Sequence, residues 1–168
     1  AGAWSLDARG RSEPADDVRY GFPLRLAAVL TVTTYVVTGV AKPRYAGGAW
    51  LAGDTLLYQI AFDNARNAVL GDAYSPFAST VVGHPGLFRP MGALTILVEL
   101  GAPVALLGRR WAAWWSGSAW LFHVGIVALM WISFAYPLSF IAFAPFFRLE
   151  LLGERLLALR PVRRLAPT

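Results

Sequence analysis

Residues 111–147, WAAWWSGSAWLFHVGIVALMWISFAYPLSFIAFAPFF, run for 37 residues without an Asp, Glu, Lys or Arg. As one helix the run would extend about 55 Å, against about 30 Å of hydrocarbon in a bilayer. Nearly half would then stand in water, so the stretch predicts two passes, at 111–129 and 131–147, broken between Leu129 and Pro137. Two earlier runs repeat the pattern. Residues 22–41 are apolar and rich in β-branched side chains, and residues 91–107 are apolar with Pro103 as a kink near the end. The composition agrees: 57% of the 168 residues are hydrophobic, and the mean hydropathy is +0.50, too apolar for an ordinary soluble domain. The expected fold class is all-α, a polytopic transmembrane helical bundle of about four passes with an interfacial helix and an amphipathic C-terminal tail.

Working outward, residues 1–21 read as a polar cytoplasmic segment, 22–148 as the transmembrane domain and 149–168 as a basic amphipathic cytoplasmic tail. The loop 42–90 lies outside. Within it Asp54 is placed to cap a helix through Leu70, with Leu56, Leu57 and Ile60 as its apolar side. Residues 71–90, with Gly71, Pro76, Gly83, Pro85, Gly86 and Pro90, read as loop. The chain opens at Ala1 on a polar stretch, which reads as the later part of a longer protein or a processed chain. Counting basic residues sets the topology. With both termini cytoplasmic, eleven arginines lie inside, while Lys42, Arg44, Arg66 and Arg89 lie outside; the opposite orientation reverses the bias.

Composition also excludes chemistry. The chain has no cysteine, which removes disulfides and thiol catalysis, and its two histidines, His84 and His123, are too far apart in sequence to predict a histidine-built metal site. The net charge of +5 resides in arginines at the ends of apolar runs, the pattern of contact with anionic headgroups rather than nucleic acid. The preference for Arg over Lys, with abundant Ala, Gly and Leu, points to a GC-rich bacterial genome and to the plasma membrane.

Hydrocarbon penalises ionisable groups, so those inside the passes are functional candidates. Glu99 falls about 12 Å from one end of its pass and His123 about 18 Å from the opposite end of the next, which puts them nearly level on adjacent antiparallel helices. Such a pair serves either as a hydrogen bond locking two helices or as a proton relay. Lys42, the single lysine, ends the first pass. It is either an interfacial anchor or, desolvated in a closed pocket, a base. Trp111, Trp114 and Trp115 read as an interface belt. Trp50, Trp131, Phe134 and Tyr136 are candidates for the walls of a flat apolar site, with core packing as the alternative for each.

Three segments in order resemble a known family: TTYVVTGVAKPRYAGGAWLAGDTLLYQI (33–60), LTILVELGAPVALLGRR (94–110) and AWLFHVGIVALMWISFAYPLSFIAFAPFF (119–147). They are similar to vitamin K-dependent γ-carboxylases and their bacterial HTTM-domain relatives. In that family an apolar helix ends in a Gly–apolar–x–Lys element followed by Trp and Gly, then a mid-helix acid, then His–x–Gly before an aromatic-rich pass. The resemblance implies a quinol-dependent oxidation or a lyase-type carboxylation. In the carboxylases the lysine matched by Lys42 deprotonates reduced vitamin K, and oxygenation to the epoxide yields a base that removes a glutamate γ-proton before CO2 adds. Glu99 and His123 match positions where the family often has an acid and a histidine. Reduced vitamin K or menaquinone is then the implied cofactor, held in part by Trp50, Trp131, Phe134 and Tyr136. The implied partners are the bilayer and either other membrane subunits or the family's upstream helices, which this stretch lacks. The other function class is a non-catalytic membrane subunit or assembly factor that buries its small-residue faces against partner helices. A transporter has less support, because the sequence shows no inverted repeat.

Overall fold

The computed structural model describes residues 18–148, with side chains from Gly21 onward; the N-terminal segment and the basic tail lie outside the described residues. Every described element is helical. α1 spans Val18–Ala46, α2 Gly48–Ala52, α3 Asp54–Leu70, α4 Ala78–Val82, α5 Phe88–Leu100, α6 Arg109–Met130 and α7 Ala135–Leu138, with 3-10 turns at Pro85–Leu87, Ala102–Leu107 and Ile141–Phe146. Three helices are long and apolar enough to cross a membrane: Gly21–Ala46, Pro85–Leu107 and Arg109–Met130.

The expected fourth pass over 131–147 is not one continuous helix. α6 ends where Trp131 turns left-handed, a four-residue helix follows, and Phe140 turns left-handed again before the final 3-10 segment. Two prolines, Pro137 and Pro145, each withhold a backbone donor from this leg, and the left-handed residues redirect it. Even so, the chain runs back along α6. Leu138 accepts a hydrogen bond from the Trp120 indole at 3.0 Å, and Phe143 and Phe146 both stack edge-on to Trp115, 5.7 Å away.

Two smaller expectations are corrected. Asp54 is the first residue of α3 rather than its cap; the cap position belongs to Gly53, whose positive φ lets its backbone lie directly against Phe88. Residues 71–90 are not simply loop, since they hold α4, a 3-10 turn and the first turn of α5. The kink expected at Pro103 is present as the change from α-helix to 3-10 helix after Leu100.

Close approach of the passes depends on small side chains. Ala102, Ala105, Ala112 and Ala119 are buried where the 3-10 segment meets α6, in one core with Val32, Tyr35, Val98, Trp115 and Phe143. The Trp115 indole donates to the Val98 carbonyl at 2.9 Å, serving a group near the end of the α5 ladder. A second core of Leu56, Ile60, Ala78 and Phe88 seats α3 over the other end of the bundle. There α3 and the following loop also complete α6. Asn64 donates to the Leu129 carbonyl at 2.8 Å, Ser75 donates to the Ala128 carbonyl, and the Ser75 amide returns a 2.7 Å bond to the Asn64 side-chain oxygen. These bonds satisfy carbonyls that a helix C-terminus leaves without partners.

Candidate functional site

The site begins at Gly39. A Cβ at this position would stand 2.9 Å from the Glu99 Cβ and from a Leu100 methyl, so only glycine lets α1 and α5 meet this closely. One turn further along α1, Lys42 faces the same stretch of α5 and forms an ion pair with both oxygens of Glu99. Glu99 is 4% exposed, and the Lys42 ammonium also lies 5.1 Å from the centre of the Trp50 ring. Trp50 is itself fixed by a 2.9 Å bond from its indole to Thr95. The Lys42 side chain is 17% exposed, and the protein supplies both its counter-ion and an aromatic neighbour.

Glu99 does not pair with His123. The histidine instead meets Tyr35, whose hydroxyl lies 2.8 Å from Nε2. Its ring sits between Phe122, at 5.2 Å, and Phe134, at 5.4 Å, while Nδ1 is buried with no hydrogen-bond partner among the described residues. Tyr35 is clamped edge-on by Trp115 at 5.0 Å. Level depth was thus insufficient to predict the partner, because α1 packs on α5 and reaches α6 through the Tyr35 side chain, supplying a polar group to each.

Both pairs open onto a single cavity of about 740 Å³. Of the seven residues singled out from the sequence, six line it: Lys42, Glu99, His123, Trp50, Phe134 and Tyr136. Trp131 does not. It is half exposed and caps α6 in a left-handed conformation, its amide donating to the Val127 carbonyl at 2.9 Å. Sequence reasoning missed Tyr35 and Gln59, both of which line the cavity. Tyr35 had a readable signal, since it precedes Lys42 by seven residues, two helical turns, and so shares its face of α1. Gln59 had none, because its place depends on how α3 folds over the bundle.

Chemically, the arrangement offers an amine–carboxylate pair, a tyrosine–imidazole pair and flat aromatic walls. The volume lies within the range of sites for small organic molecules. Among the described residues no three His, Asp or Glu side chains converge on a metal-sized position. No family model, no curated protein and no solved structure matches the chain. What the site can do is read from its own geometry.

Proposed function

We propose that the chain is a membrane-embedded domain that binds a lipid-soluble hydroquinone of the reduced vitamin K or menaquinone class and removes a proton from it, with Lys42 as the base. The observation that carries this reading is the convergence of Lys42–Glu99 and Tyr35–His123 on one cavity walled by Trp50, Phe134 and Tyr136. A hydroquinone, when bound, supplies a weakly acidic hydroxyl and two electrons. Trp50, Phe134 and Tyr136 are suited to a flat ring. The Lys42–Glu99 pair has room for one more proton. Once the lysine proton has passed to the Glu99 carboxyl, the free Lys42 amine accepts the hydroquinone proton and the hydroquinone is left as its anion. The pair then goes from net neutral to singly positive inside an apolar wall. That charge is tolerable beside the Trp50 ring. Tyr35 and His123 offer a second, neutral hydrogen-bonding point within the same cavity. The γ-carboxylase resemblance supports the further step, oxygenation by O2 and carboxylation of a substrate carbanion. The arginine distribution supports a bacterial plasma membrane with both termini cytoplasmic. The return of the 131–147 leg to Trp115 is consistent with that placement.

The test is Lys42→Arg. Arginine keeps the ion pair but cannot give up its proton at accessible pH. Folding and menaquinone binding should persist in the purified protein, while quinol turnover falls about a hundredfold or more. Undiminished turnover in this variant would remove the lysine base.

A second reading, a non-catalytic subunit of a larger membrane complex, is favoured by one observation. Among the described residues, only 17% of the α1 and α6 membrane windows is buried, and a Cβ at Gly117 or Gly125 on α6 would meet nothing within 4 Å. Stable co-purification with another membrane protein, together with indifference to substitution of Lys42 and His123, distinguishes it.

A further inference from the structure

The cavity has a direction. α1 lines it from Lys42 to Ala27, a distance of about 22 Å at the helical rise. All of its formal charge lies at the Lys42 end, beside Trp50, Gln59 and Thr95. The far end is walled by Ala27, Leu30, Ile141 and Pro145, none of which carries a polar side chain. The threonines in between do not offer their hydroxyl protons to a ligand. Thr31 donates to Ala27 at 3.0 Å, Thr34 to Leu30 at 2.9 Å and Thr38 to Tyr35 at 2.8 Å, all backbone carbonyls of α1 itself. A flat head group placed at the charged end leaves this apolar extension unfilled.

We infer that the cavity is a binding site for a single-chain amphiphile, with an uncharged oxygen-bearing head at Lys42 and Glu99 and its hydrocarbon chain laid along α1 from Tyr35 to Ala27. The head is uncharged because the ion pair is already neutral: an anion would have to displace Glu99 and a cation would have to displace Lys42, each leaving a buried charge unpaired. The remainder is hydrocarbon because the threonine hydroxyl protons along this wall are already spent on α1 carbonyls and Ala27, Leu30, Ile141 and Pro145 add no donor, so a polar acceptor laid there would be costly. Length follows from the same wall. A chain that reaches Ala27 fills the extension and a truncated one leaves it void; because the competing solvent is itself hydrocarbon, the gain is one of packing, about tenfold. The inference rests on the proposed function only for the identity of the head; an alcohol with the same chain satisfies the same geometry.

The experiment uses the full chain in detergent micelles and a hexadecanol carrying a photoreactive diazirine near the far end of its chain, with the labelled residues located by mass spectrometry. Label should concentrate on 27–31 and 141–145 and be displaced about tenfold more effectively by tetraprenyl menaquinone than by tail-less menadione. Ala27→Phe, which fills the far end, should lower labelling about tenfold; Ile141→Trp, from the opposite wall, should do the same and serves if the first variant does not fold. Label concentrated at those residues but not displaced by menaquinone would uphold the amphiphile site and defeat the quinol reading. Label spread evenly over outward residues such as Leu24, Val37 and Leu121, and unchanged by either filling substitution, would overturn the inference.

Discussion

The two polar pairs of the cavity are built on opposite plans. Lys42 and Glu99 are charged, and their meeting depends on one glycine that brings α1 against α5. Tyr35 and His123 need not carry charge at all. They are held by rings, with Trp115 and Phe143 around the tyrosine and Phe122 and Phe134 around the imidazole. A buried charge has no acceptable alternative to its partner, whereas a neutral hydrogen bond in an aromatic cage can be lost with the cage intact. The difference teaches where this protein is brittle. The α1–α5 contact is all-or-none, and the α1–α6 contact is graded.

The sharpest way to break that contrast is Lys42→Met. It strands Glu99 and should destabilise the protein by about 3–5 kcal/mol, read as a loss of thermal stability in detergent, with most of the loss recovered in Lys42→Met/Glu99→Leu. Recovery absent in the double variant would mean that the pair is not the source of the cost. Gly39→Val should come next, at about 1–3 kcal/mol, by forcing α1 away from Glu99 and Leu100. It should loosen the ion pair while leaving the Tyr35–His123 bond in place, which tyrosine fluorescence or chemical-shift changes at His123 would report. Asn64→Leu tests the other pair's support from a distance. It removes a donor to the end of α6 and leaves the Ser75 amide without its acceptor, for an expected loss of about 1–3 kcal/mol and earlier hydrogen exchange at the α6 C-terminus. Tyr35→Phe keeps the ring and deletes only the hydroxyl, so the expected cost is about 1 kcal/mol. A cost as large as that of Lys42→Met would erase the contrast between the pairs. The smallest effect should come from Trp131→Gly. Relief of the left-handed conformation offsets the lost contacts of a half-exposed side chain, and the net change should stay within about 1 kcal/mol.

Much of the site was legible because hydrocarbon makes polar residues rare. Glu99, His123 and Lys42 stand out in runs with no other ionisable group, and all three do line the cavity. Trp50, Phe134 and Tyr136 were legible only as flat apolar side chains with core packing as the alternative, and all three line the cavity. Trp131 was misread because sequence shows what a residue is and not how its backbone turns: its left-handed φ directs it away. Tyr35 was readable only through its spacing, two turns before Lys42 on the same face of α1, and was passed over within a run of β-branched residues. Asn64 and Ser75 carry no sequence signal of their role, because the helix end they satisfy lies more than fifty residues further along the chain.

Apolar run lengths and charge placement alone settled that this chain is helical and has segments suited to a bilayer, because backbone groups in hydrocarbon must be satisfied within each segment. They also marked which few side chains were worth following. Which of those side chains meet was decided only by tertiary structure. A close crossing at one glycine gave Glu99 to Lys42, a tyrosine two turns away took His123, and two left-handed residues turned an expected final helix into a broken leg that walls the cavity. Partner choice among level groups depends on helix rotation and distance of approach, and neither is written in the period or the hydropathy of a single segment.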